Sequence, residues 1–163
     1  MEENILNFAS YNMRGFKNGF SMLRELCLSH SIIGIQESWL REDELDSFAS
    51  VHKDFSFRAA SGMNHAVKKS IRVGRPFGGV GFLWHHSLNS SIEFLLNDDD
   101  GRCIVMKLTY NGYVFILFNV YFPCYCDSSV YRNEISSLSG FIENVLSNNA
   151  FNESLFLVTL ILI

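Results

Sequence analysis

The stretch RCIVMKLTY-NG-YVFILFNVYF, residues 102–122, constrains this chain more than any other. Two runs rich in β-branched and aromatic residues flank Asn111-Gly112. That dipeptide suits the two positive-φ positions of a tight hairpin. The runs 102–110 and 113–122 are therefore predicted to be antiparallel neighbours. A second hairpin is expected to join SIEFLL (91–96) to the first of them through NDDDG (97–101). A purely parallel, doubly wound sheet fits such a series poorly.

The N-terminal part follows a different rule. NILNFASYN (4–12) reads as a strand that stops at the turn-prone NMRGF. In GFSMLRELCLSH (19–30), Phe20, Leu23, Leu26 and Cys27 recur at helical spacing, with Ser21 available as a cap. SIIGIQE (31–37) is a short β-branched run that ends on polar Gln36 and Glu37. A strand–helix–strand opening favours a parallel pair. Residues 38–53 read as a loop or short helix, 54–60 and 79–85 as strands, and 61–78 as a long basic loop. SVYRNEISSLSGFIENVL (129–146) places Val130, Ile135, Leu138, Phe141, Ile142 and Val145 on one helical face, and a new strand starts near Leu155. Mixed sheets packed on helices, an α/β (α+β) architecture, satisfy this order.

The 163 residues suffice for one domain with a real core. Two prolines and no low-complexity tract argue against disorder. A net charge of -4 provides no global basic footprint, so any nucleic-acid contact must be local. Cys27, Cys103, Cys124 and Cys126 form no CxxC pair and read as free thiols of a reducing, intracellular compartment. The acidic N-terminus lacks the basic region of a signal peptide. The apolar run LFLVTLILI (155–163) is far shorter than the roughly 20 residues a membrane span needs, so no membrane is expected. It reads as a buried strand.

Three polar points fall at strand ends, where sites gather in α/β proteins: Asn12, Glu37 and the pair Asn119/Tyr121. A carboxylate at the end of IIGIQ can leave the core and hold a hard cation such as Mg²⁺, which takes one or two protein carboxylates with waters and phosphate oxygens. The bland alternative is a Glu that caps a helix or pairs with an Arg.

ASYNMRGF, IIGIQESWL, GGVGFLW and FNVYFPC occur in order along the chain. Together they resemble the endonuclease/exonuclease/phosphatase (DNase I-like) superfamily, closest in flavour to LINE-type non-LTR retrotransposon endonuclease domains. The resemblance implies a DNase I-like β-sandwich flanked by helices, of which the chain supplies the N-terminal portion only. It implies that Asn12 organises the metal and phosphate site, that Glu37 is the principal Mg²⁺ ligand, and that Tyr121 contacts the scissile phosphate of DNA. The reaction implied is metal-assisted phosphodiester hydrolysis. A phosphatase or sphingomyelinase relative is the alternative within the superfamily.

The sequence also departs from the pattern. Arg14 stands where the family often carries an acidic or amide residue, and Cys124 where it often carries Asn. The Gly-Asp-x-Asn motif that positions the nucleophile is absent, and all five histidines (30, 52, 65, 85, 86) precede the tyrosine motif. Codons for Gly-Asp-Phe-Asn-Phe-Asn, read one base out of frame, spell Val-Thr-Leu-Ile-Leu-Ile, the sequence of residues 158–163. A frameshifted tail or a gene-model artefact is expected there, with little residual activity. A non-catalytic alternative rests on His65, Lys68, Lys69, Arg72 and Arg75, which could track phosphates.

Overall fold

The computed structural model describes residues 5–63, 78–122 and 128–159. Strands β1 (Phe8–Asn12) and β2 (Ile32–Gln36) pair in parallel, and helix α1 (Phe16–Leu26) carries the chain between them. Strands β3 (Phe55–Ala60) and β4 (Val80–His85) complete a sheet of order β1-β2-β4-β3. The second sheet runs β5 (Ile92–Asn97), β6 (Cys103–Tyr110), β7 (Tyr113–Tyr121), β8 (Glu153–Thr159), in that spatial order. Helix α2 (Ser128–Asn148) crosses over between the parallel strands β7 and β8. Each sheet thus combines one helix-bridged parallel pair with antiparallel neighbours, the mixed architecture expected.

The two sheets pack face to face because their strands alternate. In β2, Ile33 and Ile35 join Met13, Leu23, Phe48 and Leu83 in a cluster beneath α1 and a 3₁₀ segment, Glu42–Ser50. Ile32 points the other way and meets Val80, Phe82, Ile104, Met106, Leu117 and Tyr121 between the sheets. In β6 and β7, Cys103, Val105, Ile116, Phe118 and Val120 pack with Leu138 and Val145 of α2. Both faces of the central strands are therefore covered, which is why they read as continuous apolar runs. Burial of this kind supplies about 25 cal/mol per Å² of apolar surface.

The tight hairpin forms at its expected place. Asn111 and Gly112 have φ of 51° and 81°, and Tyr110 faces Tyr113 across the turn. The Asn97–Arg102 turn is organised by Asp98, whose carboxylate accepts from the backbone N–H groups of Arg102 and Cys103, each at 2.8 Å. Helix α1 differs from its sequence reading. It begins at Phe16 behind Gly15, so Ser21 lies inside the helix and is not its cap. Phe16 enters early because its ring packs edge-on against Phe48, at 5.1 Å between centroids. Strand β1 is shorter than the 4–12 reading and starts at Phe8.

Candidate functional site

The site begins with how β2 ends. Gln36 closes the strand, and the next residue, Glu37, has φ of +55°. This left-handed turn is uncommon outside glycine and swings the chain out of the sheet. The β1–β2 alignment survives it, because Met13 N–H donates to Gln36 O, Gly15 N–H to Glu37 O and Phe16 N–H to Ser38 O, at 2.8–2.9 Å. The Glu37 side chain is thereby held beside the end of β1. Asn12 Nδ2 donates to Glu37 Oε1 at 2.8 Å, and Asn12 Oδ1 accepts from Arg14 N–H at 3.0 Å. Bonds at both ends of its amide fix the orientation of Asn12. Glu37 itself is only 8% exposed.

The second sheet approaches this end of β2 through Asn119 of β7. Leu117, Asn119 and Tyr121 alternate on the inner face of β7. Asn119 Nδ2 donates to Ile35 O at 2.8 Å and to Gly81 O at 2.7 Å, the two residues that face each other across β2 and β4. Its Oδ1 accepts from Gln36 Nε2. Tyr121, one inward step farther on, belongs to the inter-sheet cluster that also holds Val80, the strand partner of Gln36. The ends of β1, β2 and β7 and the start of β4 thus converge at one end of the sandwich.

The resemblance implies one site for Asn12, Glu37 and Tyr121; the fold joins Asn12 to Glu37 by a hydrogen bond and places Tyr121 in the inter-sheet cluster, two residues beyond Asn119. Lys68, Lys69, Arg72 and Arg75, and His65 with them, lie outside the described residues. The stem that follows them is described. Gly78 O and Gly79 O accept from the backbone N–H groups of Trp39 and Ser38, at 3.0 and 3.4 Å. Gly78 and Gly79 therefore lie beside the two residues that follow Glu37. His30, His52 and His85 line a separate cavity of about 390 Å³ at the opposite pole.

Gln36, Ser38 and the 78–79 glycines were missed as site residues. Gln36 was legible in principle: Ile32, Gly34 and Gln36 share one face of β2, so an amide had to lie among apolar side chains. Ser38 Oγ is buried and has no hydrogen-bond partner among the described residues.

The donor set can be tested against a cation. Among the described residues, no group of three or more His, Cys, Asp or Glu side chains could enclose a metal. Among the described residues the pole offers one carboxylate and one amide oxygen. That set suits an Mg²⁺-like ion held by one carboxylate, water and phosphate. Among the described residues no helix is long and apolar enough to cross a membrane.

No protein-family model matches the sequence, and no curated protein does. Solved structures do match. The catalytic domain of Xenopus laevis APE2 aligns with a TM-score of 0.64 at 16% identity, over 93% of this chain and 57% of that one. The 3′ phosphatase NExo from Neisseria, bound to product DNA hairpin, aligns with a TM-score of 0.60 at 16% identity, over 94% and 57%. A mannosyl-6-phosphatase from Bacteroides thetaiotaomicron aligns at 0.58 and 14%, over 93% and 64%. The chain has the DNase I-like fold of endonuclease/exonuclease/phosphatase proteins and spans less than two thirds of the length of each of these three.

Proposed function

We propose that this chain is part of a DNase I-like phosphodiesterase domain whose pole of Asn12, Glu37 and Tyr121 receives a phosphate of DNA. The observation that carries this reading is the Asn12–Glu37 hydrogen bond at the end of β2, the end that β7 approaches through Asn119. Glu37 would hold the cation, Mg²⁺ by preference, through the carboxylate oxygen that Asn12 leaves free. When bound, such an ion supplies positive charge to a phosphoryl oxygen and lowers the pKa of bound water.

The protein residues do the rest. Asn12 fixes the carboxylate. Tyr121 offers a hydroxyl to the scissile phosphate. Lys68, Lys69, Arg72 and Arg75 would track the backbone, giving sequence-independent, salt-sensitive affinity. Residues 158–163 read Val-Thr-Leu-Ile-Leu-Ile where the resemblance implies a Gly-Asp-x-Asn motif. Without the side chains of that motif to position the nucleophile, catalysis by groups acting as a unit is impaired. We therefore read the chain as a DNA-binding, catalytically impaired relative of retroelement-type nicking endonucleases. FNVYFPC and the basic stretch before β4 favour that branch over the phosphatases.

Two assays test the reading. Mn²⁺, as an Mg²⁺ surrogate, should bind the full chain by electron paramagnetic resonance, and Glu37→Ala should abolish that binding. Plasmid nicking with Mg²⁺ should not exceed the Glu37→Ala control. Absence of Mn²⁺ binding would remove the metal site; nicking above the control would remove the impairment.

A further inference from the structure

Two amides sit at the centre of an otherwise apolar interface, and the reading of the site leaves them unused. Gln36 and Asn119 are both fully buried. Gln36 Nε2 donates to Ser10 Oγ at 3.1 Å and to Asn119 Oδ1. Asn119 Nδ2 donates to Ile35 O and Gly81 O. Three of these bonds join β2 and β4 of one sheet to β7 of the other, and the fourth ties Gln36 to β1. Burying amides costs free energy even when they are bonded, and apolar residues of similar shape often serve stability as well or better. Packing alone does not explain the pair.

Apolar contact is not directional, so two greasy sheet faces can slide over one another at little cost. Hydrogen bonds with fixed geometry cannot. Gln36 immediately precedes Glu37, and Asn119 lies one inward step before Tyr121. Whatever fixes Gln36 against Asn119 also fixes the carboxylate against the tyrosine. We propose that Gln36 and Asn119 are a positioning pair, a buried amide bridge that sets the slide of one sheet on the other and so holds Tyr121 level with the Asn12–Glu37 pair. This rests on the reading of the pole as a cation and phosphate site.

The position of Asn119 over two strands strengthens the case. Its amide spans the Ile35–Gly81 pair, so it senses the placement of both β2 and β4. Sheet one carries the carboxylate and its orienting amide; sheet two carries the tyrosine. A cation alone should need only the first. A phosphate-bearing ligand should need both.

The test replaces both amides together, as Gln36→Met with Asn119→Leu in the full chain, which leaves no polar side chain of the pair unpartnered. Mn²⁺ affinity should stay within about twofold of wild type, while Mn²⁺-dependent affinity for a short single-stranded DNA should fall at least about tenfold, because misplacement of a reacting group by an ångström is costly. In ¹⁵N spectra the Asn12 side-chain amide should stay in place and the Tyr121 backbone amide should move. Unchanged DNA affinity together with an unmoved Tyr121 resonance would overturn the proposal. If wild type binds neither Mn²⁺ nor DNA, the site reading fails, and the Tyr121 resonance alone then decides whether the pair sets the slide. A variant that does not fold is replaced by Asn119→Gln, which keeps the chemistry and lengthens the arm: the Tyr121 shift is expected there too, and its absence counts against the pair.

Discussion

The side-chain amide of Asn12 donates to the carboxylate of Glu37 over 2.8 Å, across 25 residues of sequence and the ends of two parallel strands. This contact turns two isolated strand-end residues into one unit. Asn12→Ala should leave the Glu37 carboxylate free to rotate and weaken Mn²⁺ binding about tenfold, the loss expected when a group that orients a ligand is removed. Calorimetric titration of wild type and variant checks this, and equal affinities would separate Asn12 from the site.

Asn119→Ala should destabilise the fold by about 3 kcal/mol, because it removes one acceptor of the Gln36 amide and the buried donors to Ile35 O and Gly81 O. Asn119→Asp should cost as much or more, about 3–5 kcal/mol, since a buried carboxylate would face two carbonyl oxygens. Urea unfolding gives both values. A loss below that of an ordinary surface change would mean that the interface repacks around the missing amide.

Gly15 and Gly112 both have positive φ, at 99° and 81°, but only one is crowded. A Cβ on Gly15 would lie 2.6 Å from the Trp39 ring, whereas one on Gly112 would meet nothing within 4 Å. Gly112→Ala should therefore cost only the backbone strain, about 1–2 kcal/mol. Gly15→Ala should cost about 3 kcal/mol or more and shift the Trp39 fluorescence, because the ring must move. Thermal melts of the two variants in parallel would show the difference.

Asp98 gives an unusual pH dependence. Burial raises its carboxyl pKa, with help from the nearby Asp100 charge, against the lowering effect of the Cys103 and Arg102 N–H groups and the Arg102 charge. The folded chain therefore holds a proton that the unfolded chain releases above its own pKa of about 3.9. The stabilisation is complete below that value and is lost as pH rises through the folded one. Asp98→Asn keeps an acceptor but cannot ionise. Its stability advantage over wild type should shrink as pH falls from 7 towards 4, read from urea midpoints; an advantage that grows would contradict the shift.

Cys27 and Cys103 are buried free thiols. Burial pushes the Cys27 pKa up to about 11 and raises that of Cys103 as well, with the Asp98 charge adding to the latter. Since the thiolate is the reactive form, both should resist iodoacetamide at pH 8 in the native chain and react on addition of denaturant. Peptide mapping by mass spectrometry measures each site separately.

Local signals decided the order of elements. Asn111-Gly112 determined a hairpin through its tolerance of positive φ, and the strand–helix–strand opening implied the parallel β1–β2 pair. The alternation of β2 and β7 was present in the sequence as well, since side chains of a strand must point to opposite faces. Glu37 stood out because a polar residue ended a β-branched run.

Tertiary structure alone decided which inner faces met. Gln36 and Asn119 are 83 residues apart, and no local preference pairs them; they meet because two apolar faces must cover each other and two buried amides must find partners. The same holds for the positive φ of Glu37, a non-glycine residue whose left-handed turn is held by the backbone bonds on either side of it and by the Asn12 amide. Sequence placed Asn12 and Glu37 at strand ends. The bond between them came from the pairing of β1 with β2, and the Gln36–Asn119 contact from the packing of the sheets, a property of long-range burial and hydrogen bonding that is written in no single segment.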